Sequence, residues 1–135
     1  MNTQEESEAR FKEMLLSTHR EGMEVILEKL ESMGFFKAPA STKFHLNYEG
    51  GLLEHSLNVC DVALELREVV IRHRPELADR LSEESIKIAA LLHDTCKADI
   101  YRATVKKQKD ASGTWVDVPG YDVDYSNFPL GHGEK

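Results

Sequence analysis

The sequence predicts an all-α domain carrying one β-hairpin at about residues 101–125. Two observations carry this expectation. Up to residue 100, apolar residues recur at helical spacing in runs bounded by glycine, proline or capping residues, and after Tyr101 valines and aromatics alternate with polar residues around an Asp-Ser-Gly turn.

The first helix begins at Thr3, where Thr3 and Glu6 have the spacing of a capping box and Phe11, Met14 and Leu15 follow on one face. Thr18 and Glu21 repeat that spacing. With Gly22 just after them, they predict a break and then a second helical run through Val25, Ile26, Leu30 and Met33, ended by Gly34. Residues 35–48 contain Pro39, small side chains and no sustained period, which reads as a loop bringing His45 towards the next element. Gly50 and Gly51 open a long helix whose Leu52, Leu53, Leu57, Cys60, Leu64 and Val70 keep one face apolar to about His73, where Pro75 stops it. A short helical turn is expected at residues 76–80.

Ser82 is a good N-cap, with Glu83 and Glu84 at the positive end of the helix dipole. Ile86, Ile88, Ala89, Ala90, Leu91 and Leu92 make this helix apolar nearly all round, which predicts a central, buried position. His93 and Asp94 follow directly. In the hairpin, Val105 lies before the turn at Asp110, Ser112 and Gly113, and Trp115, Val116, Val118, Tyr121 and Val123 lie after it. Pro129 and Gly131 then precede a helix start at residues 131–135. There is no internal repeat and no low-complexity segment.

A chain of 135 residues with 41% hydrophobic content fits a single domain over 1–135. No apolar run approaches membrane-spanning length, and the polar, acidic N-terminus lacks the pattern of a secretory signal, so no membrane partner and a cytoplasmic location are expected. Cys60 and Cys96 read as buried thiols in a reducing compartment. The net charge of −7 opposes a stable nucleic-acid partner, because such binding depends on neutralising phosphates. Arg102, Lys106, Lys107 and Lys109 are a local exception. Their preferred reading is the solvated face of the ribbon, and the alternative is a guide for anionic substrate.

A buried apolar helix ending in adjacent ionisable residues calls for a partner, since an unpaired carboxylate there would be expensive. A bound cation is such a partner. Helix neighbours point about 100° apart, so His93 and Asp94 share one ion only over the arc between them, and a third ligand must come from another helix. His55, one turn into the preceding long helix, is the best candidate. A mixed His/carboxylate site favours Mn, Fe, Mg or another octahedral divalent metal such as Co or Ni, with Zn less favoured, and its chemistry is metal-activated water attacking phosphorus. Cys96, three residues after His93, allows a structural zinc alternative, but no second Cys-His cluster supports it.

The stretches HLNYEGGLLEHS (45–56), LLHDTCK (91–97) and FPLGHGEK (128–135) together resemble the HD-domain metal-dependent phosphohydrolases. A lone His-Asp dipeptide says little; the combination is specific and covers about residues 20–135. The resemblance implies an HD-domain helical bundle and ligands in the order His, His-Asp, then a later Asp, which places metal on His55, His93 and Asp94. The chain is expected to be a fragment lacking the family's C-terminal helices and last Asp; Asp122 or Asp124 would substitute only through an unusual hairpin placement. Lys97 is expected to hold substrate phosphate or stabilise transition-state charge, or else to serve only as a helix C-terminal cation. His132 is a candidate for a second metal or phosphate contact, or a simple cap. His45 is a candidate substrate contact or outer donor, and Glu54 a candidate proton acceptor unless it faces solvent. His19 and His73 need no function.

The implied function is hydrolysis of a phosphomonoester or phosphodiester, of a nucleotide or oligonucleotide, by metal-activated water. The partner is then a small phosphorylated substrate, with the oligomeric state left open. The alternative is a non-catalytic metal- or nucleotide-binding regulatory module with a degenerate HD site.

Overall fold

The computed structural model describes residues 3–128. Pro129, Gly131, His132 and the expected helix start at 131–135 lie outside the described residues. The elements are helices α1 (Gln4–Leu16), α2 (Met23–Ser32), α3 (Gly51–His73) and α4 (Glu83–Leu92), then strands β1 (Tyr101–Lys109) and β2 (Trp115–Val123). Single 3₁₀ turns at Pro75–Leu77 and Thr95–Lys97 link them. The architecture is mostly helical with one small antiparallel sheet.

The expected capping box closes α1: Glu6 N–H donates to Thr3 Oγ1 at 3.1 Å and Thr3 N–H to Glu6 Oε2 at 3.3 Å. The second box does not form. Thr18 is buried and turns inward, its hydroxyl donating to the Leu15 carbonyl at 2.7 Å to close the end of α1. Gly22, at φ +87°, then makes the turn into α2 that a capping residue would otherwise make. Phe35 N–H returns to the Leu30 carbonyl at 3.0 Å past Gly34, the closure expected of a glycine-ended helix.

Phe11, Phe35 and Phe36 pack with ring centroids 5.1–5.6 Å apart at the centre of the core. Leu15 from α1, Leu27 and Leu30 from α2, Leu52, Leu53, Leu57 and Cys60 from α3 and Leu91 from α4 surround them. Each fully buried leucine contributes about 1.5–3 kcal/mol from area removed from water. The expectation of a helix buried on all sides fails for α4. Only Ala90 and Leu91 are buried, while Ile86, Ile88 and Leu92 are half-buried and Ala89 is exposed. α4 rests on α3 and α1 along one side, and among the described residues nothing covers the other.

In the hairpin the register runs from Tyr101↔Val123 to Lys109↔Trp115. Asp110 shapes its loop, accepting from the N–H groups of Ser112 at 2.9 Å and Thr114 at 3.0 Å, and Gly113 takes the left-handed conformation there. Asp124 N–H donates to the Ile100 carbonyl at 2.7 Å, and Lys106 Nζ donates to the Thr42 carbonyl at 2.9 Å, tying the ribbon to the helical body. Among the described residues no helix is long and apolar enough to cross a membrane.

Candidate metal centre

Two adjacent glycines set the entry to α3 and hence the place of His55. Gly50 has φ +84°, the left-handed conformation that turns the loop into the helix, and its N–H donates to the Lys37 carbonyl at 3.0 Å. Gly51 is required for a different reason: a Cβ there would overlap the Leu46 carbonyl oxygen and lie 2.9 Å from the carbonyl carbon. That carbonyl accepts from Ala40 N–H at 3.0 Å, and Leu52 N–H reaches back to the Ala38 carbonyl at 2.9 Å. The loop is thereby pressed onto the first turn of α3. Its His45 ring lies 4.8 Å from the His55 ring, centroid to centroid.

His93 is the C-cap of α4, and Asp94 has already left the helix, at φ −116° and ψ 22°. The two side chains therefore converge without the angular separation expected of helical neighbours. His93 Nε2 lies 3.2 Å from Asp94 Oδ2, and His55 Nε2 lies 3.2 Å from His93 Nε2 and 3.4 Å from Asp94 Oδ2. Two donors about 2.1–2.2 Å from one ion stand roughly 3.0 Å apart at a right angle and about 3.5 Å apart at a tetrahedral angle. The observed triangle falls between these limits, so the three residues could hold one metal ion.

The protonation chemistry fits as well. His93 Nδ1 is 2.7 Å from the Ala90 carbonyl, which can only accept, so Nδ1 carries the proton and Nε2 presents its lone pair to the cluster. The His55 pKa lies below its ordinary value, chiefly through burial and then through repulsion from His45 and His93, with Asp94 opposing. A neutral imidazole is the form that binds metal. Lys97 Nζ sits 3.4 Å from Asp94 Oδ2 and donates to the Ala40 carbonyl at 3.0 Å, its side chain only 12% exposed.

The structure thus brings His55, His93, Asp94 and Lys97 together, with His45 beside them. Glu54 is not among them: it accepts a hydrogen bond from the Tyr48 hydroxyl and lines a separate cleft with Gln4, Arg10 and Asn58. Cys96 lies in the 3₁₀ turn, half-buried and outside the cluster, so the shared helix face expected for it with His93 does not exist. The expectation of a buried thiol holds for Cys60 and not for Cys96. Asp122 stands 3.7 Å from Lys106, and Asp124 caps Ser126 and Asn127, so neither joins the cluster. His19 and His73 are exposed at the ends of turns and helices. His132 lies outside the described residues. Tyr101 was not anticipated. At the start of β1, its phenol pKa is raised by burial and then by the Asp94 carboxylate, which marks it as a neighbour of the site. Its only sequence signal was an aromatic residue opening the strand run.

Residues 52–123 match the HD domain family, a span holding His55, His93, Asp94, Lys97 and both strands. The dihydroneopterin 2′,3′-cyclic phosphate phosphodiesterase of Methanocaldococcus jannaschii is 38% identical over 89 residues, covering 66% of this chain and 32% of that protein. The chain thus spans about a third of the length of this curated relative. No solved structure matches the chain. With a mostly helical frame, a His/His-Asp cluster between two of its helices and a family match over more than half its length, the chain belongs to the HD domain family.

Proposed function

We propose that this protein is a metal-dependent phosphohydrolase acting on a small phosphorylated substrate, with His55, His93 and Asp94 holding a divalent ion. The observation that carries this reading is the convergence of three ligand atoms beside Lys97, a mostly buried cation poised at the Asp94 carboxylate. The bound ion supplies Lewis-acid polarisation of phosphorus–oxygen bonds and activation of water. Lys97 places an ammonium where a phosphate oxygen would arrive, and stabilises negative charge that grows as phosphorus is attacked. Its bond to the Ala40 carbonyl fixes it at one point, so little reorganisation is needed. His45, exposed at the rim, is placed to donate to a substrate oxygen. Mn, Fe, Mg, Co and Ni suit this donor set better than Zn.

The relative is named for cleaving a cyclic phosphate diester, which favours a phosphodiester and, among small substrates, a nucleotide-like one. The test is hydrolysis of 2′,3′-cyclic nucleotides and of p-nitrophenyl phosphate by the Mn²⁺-loaded protein. Asp94→Ala is expected to remove turnover and Lys97→Met to reduce kcat by about 100-fold, in keeping with loss of one transition-state donor. Metal retained with no turnover on either substrate class would replace this reading with a non-catalytic regulatory module.

A further inference from the structure

A second cleft, of about 450 Å³, opens between the loop that carries His45 and the hairpin, lined by Thr42, Asn47, Lys106, Lys107, Gln108 and Pro119 among others. Thr42 and Asn47 bracket His45 in the chain, and three residues span at most about 10 Å, so this cleft adjoins the candidate metal centre across one loop. The protein is otherwise acidic, with net charge −7, which makes a paired lysine wall beside the site unusual.

The position of Lys106 is built into the strands. In the register Lys106 faces Val118, and Gly120 is its diagonal neighbour on β2. A Cβ on Gly120 would lie 2.8 Å from Lys106 Cδ and 3.0 Å from Cγ, so the missing side chain is what lets the lysine stem lie across the strand. The ammonium is thereby carried to the Thr42 carbonyl, and Lys106 is 29% exposed where Lys107 is 69% exposed. Two carboxylates compete for these lysines: Asp122 at 3.7 Å from Lys106, and Asp117 paired with Lys107. Both pairs are solvent-exposed, and such pairs hold little net energy against a doubly charged phosphate. Thr42, Asn47 and Gln108 add hydroxyl and amide groups suited to phosphate or sugar oxygens, and the volume is that of a small-molecule site.

We propose that this cleft is a second anion subsite, taking a distal phosphate of the substrate whose scissile group sits at His55, His93 and Asp94. This rests on the proposed phosphohydrolase function, so the test is one of binding without turnover. The metal-free protein is titrated with inorganic pyrophosphate and followed by ¹H–¹⁵N correlation spectra. Saturable shifts are expected at the amides of Thr42, Asn47, Lys106 and Gln108. They are expected to persist in Asp94→Ala, to need at least about fivefold more pyrophosphate in Lys106→Met, and to recover in Lys106→Arg. If Lys106→Met disturbs the hairpin, seen as lost dispersion of strand amides, Lys107→Met must show the weakening, since its side chain does not touch the loop. Shifts absent from the cleft, confined to His55 and His93, or unchanged in both methionine variants would overturn the subsite while leaving the metal-centre reading standing.

Discussion

Replacing Gly51 by alanine tests how the loop is locked onto α3. The added methyl would overlap the Leu46 carbonyl oxygen, and would lie 2.9 Å from its carbon and 3.1 Å from Leu46 Cβ. These are backbone atoms and the root of a side chain, so no rotamer change relieves the clash. The Leu46 carbonyl is also held by Ala40 N–H, and Leu46 already sits at φ +51°, so the loop has little room to retreat. Overpacking of this kind costs about 1–3 kcal/mol. The helix-propensity gain of alanine over glycine offsets about 1 kcal/mol at most. The expected result is a net loss of about 1–2 kcal/mol, read as a lower urea midpoint with unchanged slope. Because His45 rides on the same loop, the His45 and His55 ring resonances should shift together. An alanine variant as stable as the parent, with those resonances unmoved, would refute the claim that Gly51 exists for close approach.

Ser56 Oγ is buried with no hydrogen-bond partner among the described residues, so Ser56→Ala is expected to be neutral or to raise stability by up to about 1 kcal/mol; a loss above that, by urea unfolding, would reveal a hidden partner. Leu91→Ala should cost about 2–5 kcal/mol by the same assay, as a fully buried side chain between α4 and the core. The Tyr48 phenol, bonded to Glu54, is pushed up to about 12, so its ultraviolet titration should move down towards 10.0 in Glu54→Gln. This raised pKa contributes stability that is intact below 10.0 and lost as pH climbs to about 12. His55 has its pKa below 6.5, so the unfolded chain takes up its proton first and metal-free stability should fall as pH drops through 6.5; His55→Asn should flatten that part of the urea-midpoint profile.

The helices were legible because their boundaries are local chemistry. Thr3 with Glu6, Ser82, Gly34 and Pro75 each act within one turn, and each ends or begins an element as expected. Thr18 and Glu21 show the limit of such reading. The same local pattern was present, but burial of Thr18 against the core drew its hydroxyl to Leu15 instead. The His55, His93 and Asp94 grouping was legible because ionisable residues at the end of an apolar helix demand a partner. The route of convergence was not, since it depends on Asp94 leaving helical geometry, which no periodicity encodes. Glu54 lies next to His55 in sequence yet serves Tyr48, because successive helix positions face different neighbours. Tyr101 reaches Asp94 only through the turn that folds β1 back on the site, a tertiary fact invisible to spacing.

The most direct test of the central claim is metal content by elemental analysis of the purified protein and its Asp94→Ala variant, each loaded with Mn²⁺ and desalted. The account predicts retained metal in the parent and none above background in the variant. Equal retention in both, or none in the parent, would contradict a metal centre built on His55, His93 and Asp94.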